Sequence, residues 1–257
     1  MRENSLRRKL AAGQKAVGLW AGLGSEATLE MAAPLGFDWV LIDCEHGVAH
    51  YEQLPGLLRA LGGSDITSVI RVPTKDDPSI FKRVLDIGVE GVMVPQVYNA
   101  EDVKAVVSAC RYPPDGERGI AAGRGAGYGL DFMGVLREAN KEVMVIVQIE
   151  TKEALDSIDE ILSVPGLDAI LIGPADMSAA LGHTLDFQHA DVVAAFNKIQ
   201  KAAAAAGKPA GFYCNSPKEA QMRFDQGFSF ANICNDAGLL LGAYTKTLRD
   251  MKDIAGA

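Results

Sequence analysis

The chain is short of cysteine, of aromatic side chains and of positive charge, and each shortage excludes something. Its four cysteines, Cys44, Cys110, Cys214 and Cys234, show neither a Cys-x-x-Cys pair nor zinc-finger spacing. A disulfide scaffold and a structural zinc module are therefore not expected, and the thiols should be reduced. Aromatic residues make up 7% of the chain, so the core should be aliphatic. No stretch approaches the roughly 18 apolar residues of a membrane span. The first residues, among them Arg2, Glu3, Arg7, Arg8 and Lys9, lack the apolar centre of a signal peptide. A cytoplasmic protein with no membrane partner is expected. Lys and Arg number 25 against 33 Asp and Glu, a net charge of −8, and no basic stripe extends beyond Arg7-Arg8-Lys9. Nucleic acid is not an expected partner.

What is present is the composition of a globular α/β chain: 48% hydrophobic residues, 23% charged residues and 27 glycines in 257 positions. Eight short runs rich in β-branched residues recur: 16–20, 39–43, 67–72, 91–95, 143–150, 169–173, 209–214 and 228–234. Helical patterns separate them at 26–35, 51–61, 78–87, 100–110, 152–162, 192–206, 217–226 and 238–251. Asp77-Pro78 and Ser216-Pro217 read as helix caps followed by proline in the first turn. Gly62, Gly88, Gly207 and Gly227 stand just past helix ends, where a left-handed residue is expected. Eight alternations predict a TIM (β/α)₈ barrel spanning residues 1–257 as one domain, with a doubly wound open sheet as the alternative. Two segments exceed a minimal barrel. Residues 111–128 form a glycine-rich connection with Arg111, Arg118 and Arg124, and residues 179–190 hold His183 and His189.

A barrel of this kind places its active site at the C-terminal strand ends, which gives weight to the ionisable residues found there. These are Asp43-Cys44-Glu45-His46 after the second run, Arg71 at the third, Gln148 and Glu150 on the fifth, and Asp176 after the sixth. Strand alternation puts Gln148 and Glu150 on one side, and two polar side chains facing a barrel interior are costly unless they bind something. Glu150 and Asp176 on adjacent strands are either ligands of a hard divalent cation such as Mg²⁺ or Mn²⁺, or caps of the helices that follow them. The amides of Ala175 and Asp176 open a helical turn and could receive a carboxylate. Arg71 is either a forked donor to a carboxylate or enolate, or the partner of a rim acid. His46 is either a surface residue or a base held in one tautomer by Asp43, three positions earlier. A Schiff-base aldolase would need a lysine on a strand, and none of the eight runs contains one. The loops after the seventh and eighth runs lack the paired glycines of a phosphate site.

The blocks Trp39–His46 (WVLIDCEH), Arg71, Tyr112–Gly119 (YPPDGERG), Val147–Thr151 (VQIET) and Ile172–Ser178 (IGPADMS) resemble the signature blocks of the HpcH/HpaI aldolases. The resemblance implies a metal-dependent class II pyruvate aldolase on a TIM barrel. Glu150 and Asp176 would ligate the divalent metal ion (Mg²⁺, Mn²⁺ or Co²⁺), and Gln148 would border the bound 2-oxo acid. Arg71 would stabilise its enolate, and His46 paired with Asp43 would be the base. The implied reaction is reversible cleavage of a 4-hydroxy-2-oxo acid to pyruvate and an aldehyde. The implied assembly is a homo-hexamer, a trimer of dimers exchanging C-terminal helices, here 238–251. The sequence departs from the pattern at Cys44, where many relatives carry glycine. It departs again at Phe228–Asp236, where Asn232, Cys234 and Asn235 make the wall more polar, and Tyr213–Asn215 adds further polar atoms. Aldehyde specificity should feel these changes more than the chemistry does. Arg118 and Arg124 are candidates to read a distal carboxylate, with plain solvation of their loop as the alternative. The rival to an enzyme is a protein on the same fold that binds a 2-oxo acid without turning it over.

Overall fold

The computed structural model describes residues 2–255. Eight parallel strands close into a barrel in chain order, which settles the choice against the open sheet. They are β1 (Ala16–Ala21), β2 (Trp39–Asp43), β3 (Thr67–Arg71), β4 (Gly91–Val94), β5 (Met144–Ile149), β6 (Ala169–Ile172), β7 (Ala210–Phe212) and β8 (Phe230–Asn235). The helices are α1 (Ser5–Ala11), α2 (Glu26–Ala32), α3 (Leu54–Ala60), α4 (Pro78–Asp86), α5 (Ala100–Cys110), α6 (Phe132–Glu142), α7 (Lys152–Asp156), α8 (Ile158–Leu162), α9 (Pro174–Ala180), α10 (Ala190–Ala205), α11 (Pro217–Asp225) and α12 (Asp236–Ala255).

The two-residue period of the strands sorts their side chains into two buried sets. Trp39 and Leu41, Val69, Met93, Met144 and Ile146, Leu171 and Phe230 fill the barrel interior. Val40 and Ile42, Ile70, Val92, Val145 and Val147, and Ile170 face outward against the helices. Continuing the inward series up each strand brings Asp43, Arg71, Gln148 and Glu150 to the C-terminal rim. The same alternation that packs the floor therefore aims the polar residues. Gly18 makes the packing possible, because a Cβ there would lie 2.2 Å from the Trp39 indole.

Two helices lie where none was expected. The short α1 is capped by Asn4, whose Oδ1 accepts from Arg7 N. It inserts Leu6 and Leu10 under the barrel floor, so its stability comes from packing rather than length. The long connection after α5 ends in a 3₁₀ turn at Arg124–Gly129 and then α6, whose apolar face is carried by Val135 and Ala139. The helix expected over 152–162 is two, because the chain leaves helical geometry at Ser157. Asp77 and Ser216 cap α4 and α11 as expected. Of the helix-end glycines, Gly88, Gly207 and Gly227 have positive φ. Gly62 does not, and the left-handed residue after α3 is Gly63. The final helix α12 runs out from the rim with residues 237–253 exposed. Among the described residues no helix is long and apolar enough to cross a membrane.

Candidate active site

At the C-terminal rim, residues on or just after β1, β2, β3, β5, β7 and β8 and at the start of α9 surround a cavity of about 510 Å³. Of the catalytic, substrate-binding and metal-ligand residues implied by the family resemblance, all but Glu150 line it, and Glu150 is hydrogen-bonded to the lining residue Gln148. Trp20, Asp43, His46, Arg71, Gln148, Ala175 and Asp176 line it.

Arg71 is the organising group. Its Nε and Nη2 donate to the two carboxylate oxygens of Asp43, at 2.9 and 2.5 Å, and its Nη1 reaches Gln148 Oε1 at 3.4 Å and Glu45 Oε2 at 2.8 Å. The guanidinium also lies 4.9 Å from the Trp20 ring, whose Nε1 donates to Asp43 Oδ2. The rim-acid reading of Arg71 is therefore correct, and the group still faces the cavity. Burial works against both charges, but the mutual hydrogen bonds and attraction outweigh it, holding Asp43 below and Arg71 above their ordinary values.

The expected Asp43–His46 side-chain pair is not formed. Asp43 Oδ1 accepts from the backbone amides of Glu45 and His46, at 3.0 and 3.2 Å, because the loop folds back over the carboxylate already engaged by Arg71. The His46 ring stands exposed at the mouth, and its Nε2 is 3.9 Å from Glu45 Oε1.

Glu150 does not cap the following helix; Thr151 does. Instead Glu150 Oε1 accepts from Gln96 N at 2.8 Å and Oε2 from Gln148 Nε2 at 2.7 Å. Gln96, two residues past β4, holds a positive φ of 52°, a strained conformation that aims its amide at the carboxylate. On the other side a Cβ at Gly173 would lie 2.4 Å from Glu150 Oε2, so any side chain there would displace that carboxylate. Asp176 occupies the first turn of α9, whose cap residue Gly173 has no side chain to bond the turn's amides.

Burial, reinforced by the negative charges of Asp176 and Glu45, pushes the Glu150 carboxyl up to about 7. Burial also raises Glu45, and its Oε2 is a buried oxygen without a hydrogen bond apart from the ionic contact with Arg71. A floor that gathers the carboxyl groups of Glu45, Glu150 and Asp176, with the charges of the other two raising Glu150, offers oxygen donors chemically suited to a hard divalent cation.

A family profile described as HpcH/HpaI aldolase/citrate lyase matches residues 16–243. The chain belongs to the HpcH/HpaI family. It is 40% identical over 238 residues to a pyruvate aldolase of Rhizobium etli, covering 92% of this chain and 93% of the relative. It is 39% identical over 251 residues to a 2-keto-3-deoxy-L-rhamnonate aldolase of Klebsiella pneumoniae, covering 97% and 93%. A crystal structure of an HpcH/HpaI family protein from Burkholderia cenocepacia superposes with a TM-score of 0.93 at 33% identity, over 97% of this chain and 99% of that one.

In this HpcH/HpaI chain Glu45, Gln96, Trp20, Gly173, Leu185 and Phe187 join the site without having been singled out from sequence. Glu45 stood inside a quoted motif, and Trp20 ends a strand run, which was the available signal. Gln96 contributes a backbone amide and Gly173 an empty space, neither of which has a side-chain signature. Leu185 and Phe187 enter from the loop after α9.

Arg118 and Arg124 do not line this cavity. Arg118 is buried, paired with Asp86 at 2.8 Å and 4.4 Å above the Tyr112 ring, while Arg124 donates to Ile87 O. Both border a separate cavity of about 450 Å³ beside α3 and α4. Simple loop solvation does not describe them, and within one chain neither reaches the rim cavity. The cysteines near the rim are also outside the cavity lining, and burial pushes the Cys44 and Cys214 thiols up to about 12, so they are unreactive at neutral pH. Asn232 serves structure, bonding both the amide and the carbonyl of Cys214, whereas Tyr213, Asn215 and Asn235 do face the cavity.

Proposed function

We propose that the protein is a divalent-metal-dependent pyruvate aldolase, a carbon–carbon lyase that reversibly cleaves a 4-hydroxy-2-oxo acid to pyruvate, or a related 2-oxo acid, and an aldehyde. The observation that carries this reading is the convergence of Asp43, Arg71, Gln148, Glu150 and Asp176 from four strand ends on one floor. It is supported by the aldolase names of the relatives. Glu150 and Asp176 are the residues that would hold the cation, which when bound would polarise the 2-oxo group and stabilise negative charge on its oxygen. Arg71, preset by Asp43 and Glu45, donates to the same developing oxyanion, and preorganised donors of this kind cost no rearrangement in the transition state. The first-turn amides of Ala175 and Asp176 receive the substrate carboxylate, and Gln148 borders it.

His46 takes the proton from the C4 hydroxyl, directly or through a water. The C3–C4 bond then breaks, its electrons pass to the enolate of the 2-oxo acid, and C4 becomes the aldehyde carbon. The protonated His46 returns its proton to C3, so the cycle balances. In this assignment Asp43 is a positioning residue that fixes Arg71 and the backbone of the His46 loop.

The outer wall favours a neutral, hydroxylated aldehyde. Tyr213, Asn215 and Asn235 present polar atoms there, beside the carboxylate of Asp236. That carboxylate accepts from the amides of Gly22, Leu23 and Ala237. Arg71 is the cation among the described lining residues, and it is engaged at the floor. A terminal carboxylate would meet a negative charge without a partner.

Pyruvate release from a panel of 4-hydroxy-2-oxo acids, coupled to lactate dehydrogenase, tests the activity. The expected result is turnover abolished by EDTA and restored by Mg²⁺, Mn²⁺ or Co²⁺. Saturable binding of pyruvate without turnover of any panel member would instead make the protein a 2-oxo-acid-binding relative of the enzymes. In the synthetic direction, glyceraldehyde should be preferred to succinic semialdehyde by tenfold or more in kcat/KM, roughly the discrimination of one unpaired buried group.

The proposed assembly is a homo-hexamer built as a trimer of dimers with exchanged C-terminal helices. Leu241, Tyr244, Leu248 and Met251 support it, because they recur at helical spacing on the exposed α12.

A further inference from the structure

Among the described residues, one group of metal-ligating side chains stands apart from the catalytic carboxylates. His183, His189 and Asp191 place one ligand atom each within 4.8 Å of one another. Ligand atoms sharing one ion with bonds of about 2.0–2.2 Å lie roughly 3–4 Å apart, so small side-chain rotations close the set. His183 Nε2 is already 3.2 Å and His189 Nδ1 3.7 Å from the same oxygen, Asp191 Oδ2. The rings stack with centroids 3.3 Å apart and planes at 16°. His189 Nδ1 also accepts from Asp191 N at 3.3 Å, which assigns a lone pair to that nitrogen and gives an incoming ion only a long contact to replace.

We infer that His183, His189 and Asp191 form a second metal site, selective for Zn²⁺ or a similar transition ion, which clasps the wall segment of the active cavity. Two imidazoles and one carboxylate are a borderline-soft donor set, unlike the all-oxygen floor formed by Glu150 and Asp176, so the two sites discriminate between ions by chemistry. Asp191 is largely exposed, which leaves room for water in the remaining coordination position.

The site stands at the two ends of a short excursion of the chain. His183 N donates to Ser178 O and Leu185 N to Ser178 Oγ, while His189 begins the cap of α10. Between them Leu185, at φ 61°, and Phe187 reach the active cavity. An ion joining His183 to His189 and Asp191 closes this loop at its base and restricts the wall that contacts the aldehyde.

Zn²⁺ titration by calorimetry on an E150Q/D176N variant, which lacks the carboxylate pair of the active-site floor, tests the site. One Zn²⁺ per chain is expected, weakened at least tenfold by adding H183N or H189N. In wild-type protein saturated with Mg²⁺, added Co²⁺ should give the visible d–d absorption of a four- or five-coordinate ion, lost in H183N. Zn²⁺ should slow amide hydrogen exchange across 184–188 in wild type but not in H183N. Zn²⁺ stoichiometry and affinity unchanged by both histidine substitutions, or no Zn²⁺ binding below millimolar concentration, would overturn the inference. These readouts do not involve aldol cleavage, so a failed activity assay leaves them separately decisive.

Discussion

Arg71 and Asp43 form a buried, forked ion pair whose partners each lose a counter-charge if the other is removed. Arg71→Lys keeps the charge but cannot reproduce two parallel hydrogen bonds and the contact with the Trp20 ring. It is expected to lower kcat by about 10²-fold, the scale of losing one oxyanion donor, with a smaller effect on KM. Steady-state kinetics on folded protein checks this, and a change confined to KM would show that Arg71 serves ground-state binding alone. Glu150 gives a pH prediction for the metal-free protein. Its folded value of about 7 exceeds the ordinary 4.5, so between those two pH values the native state holds more protons than the unfolded state. Its stabilising contribution is complete below pH 4.5 and is lost as pH rises towards 7. The full difference corresponds to roughly 3 kcal/mol. Urea unfolding in EDTA at several pH values should show this slope in wild type and its absence in Glu150→Gln.

At the scale of elements, the junction between β6 and α9 is defined by an absent side chain. Gly173→Ala puts a methyl group against Glu150 Oε2, in a space of 2.4 Å, and must displace either the carboxylate or the start of α9. Activity is expected to fall at least tenfold while the far-ultraviolet circular dichroism of the barrel is retained. The opposite end of the barrel depends on α1. Asn4 caps that helix, donates from Nδ2 to the carbonyls of Glu90 and Glu142, and is wholly buried. Asn4→Ala leaves those carbonyls and the Arg7 amide short of partners, at a cost of about 1–3 kcal/mol. Denaturant unfolding should register that loss with kcat unchanged, since the helix lies at the floor of the barrel and the reaction at its rim.

At the scale of the whole molecule, α12 exposes an apolar stripe that a solitary chain would leave in water. Leu241→Glu combined with Leu248→Glu is expected to reduce the proposed hexamer to smaller species, read by light scattering after size exclusion. Persistence of the wild-type mass would remove α12 from the assembly. Burial of this face in an oligomer would also restrict the mouth of the cavity, because α12 begins at Asp236, one of its lining residues.

Much of this protein was legible in its sequence because strands and helices differ in period. The eight runs and their order and the shared facing of Gln148 and Glu150 follow from local alternation, which made a barrel the leading topology, while closure of the sheet was decided by the tertiary structure. The residues at the strand ends follow from the fold that this alternation implies. The sequence also carried the capping of α4 and α11, since a cap and its amide are neighbours along the chain. Tertiary structure alone decided the partners. Asp43 could reach His46 by sequence distance, yet Arg71, 28 positions away, takes its carboxylate because adjacent inward positions on β2 and β3 face one another. Gln96, Gly173 and the buried placement of Arg118 were equally hidden, since a backbone amide, an empty volume and a long-range ion pair leave no periodic trace. Spacing along a chain limits which groups can meet, and the packing of the barrel determines which of them do.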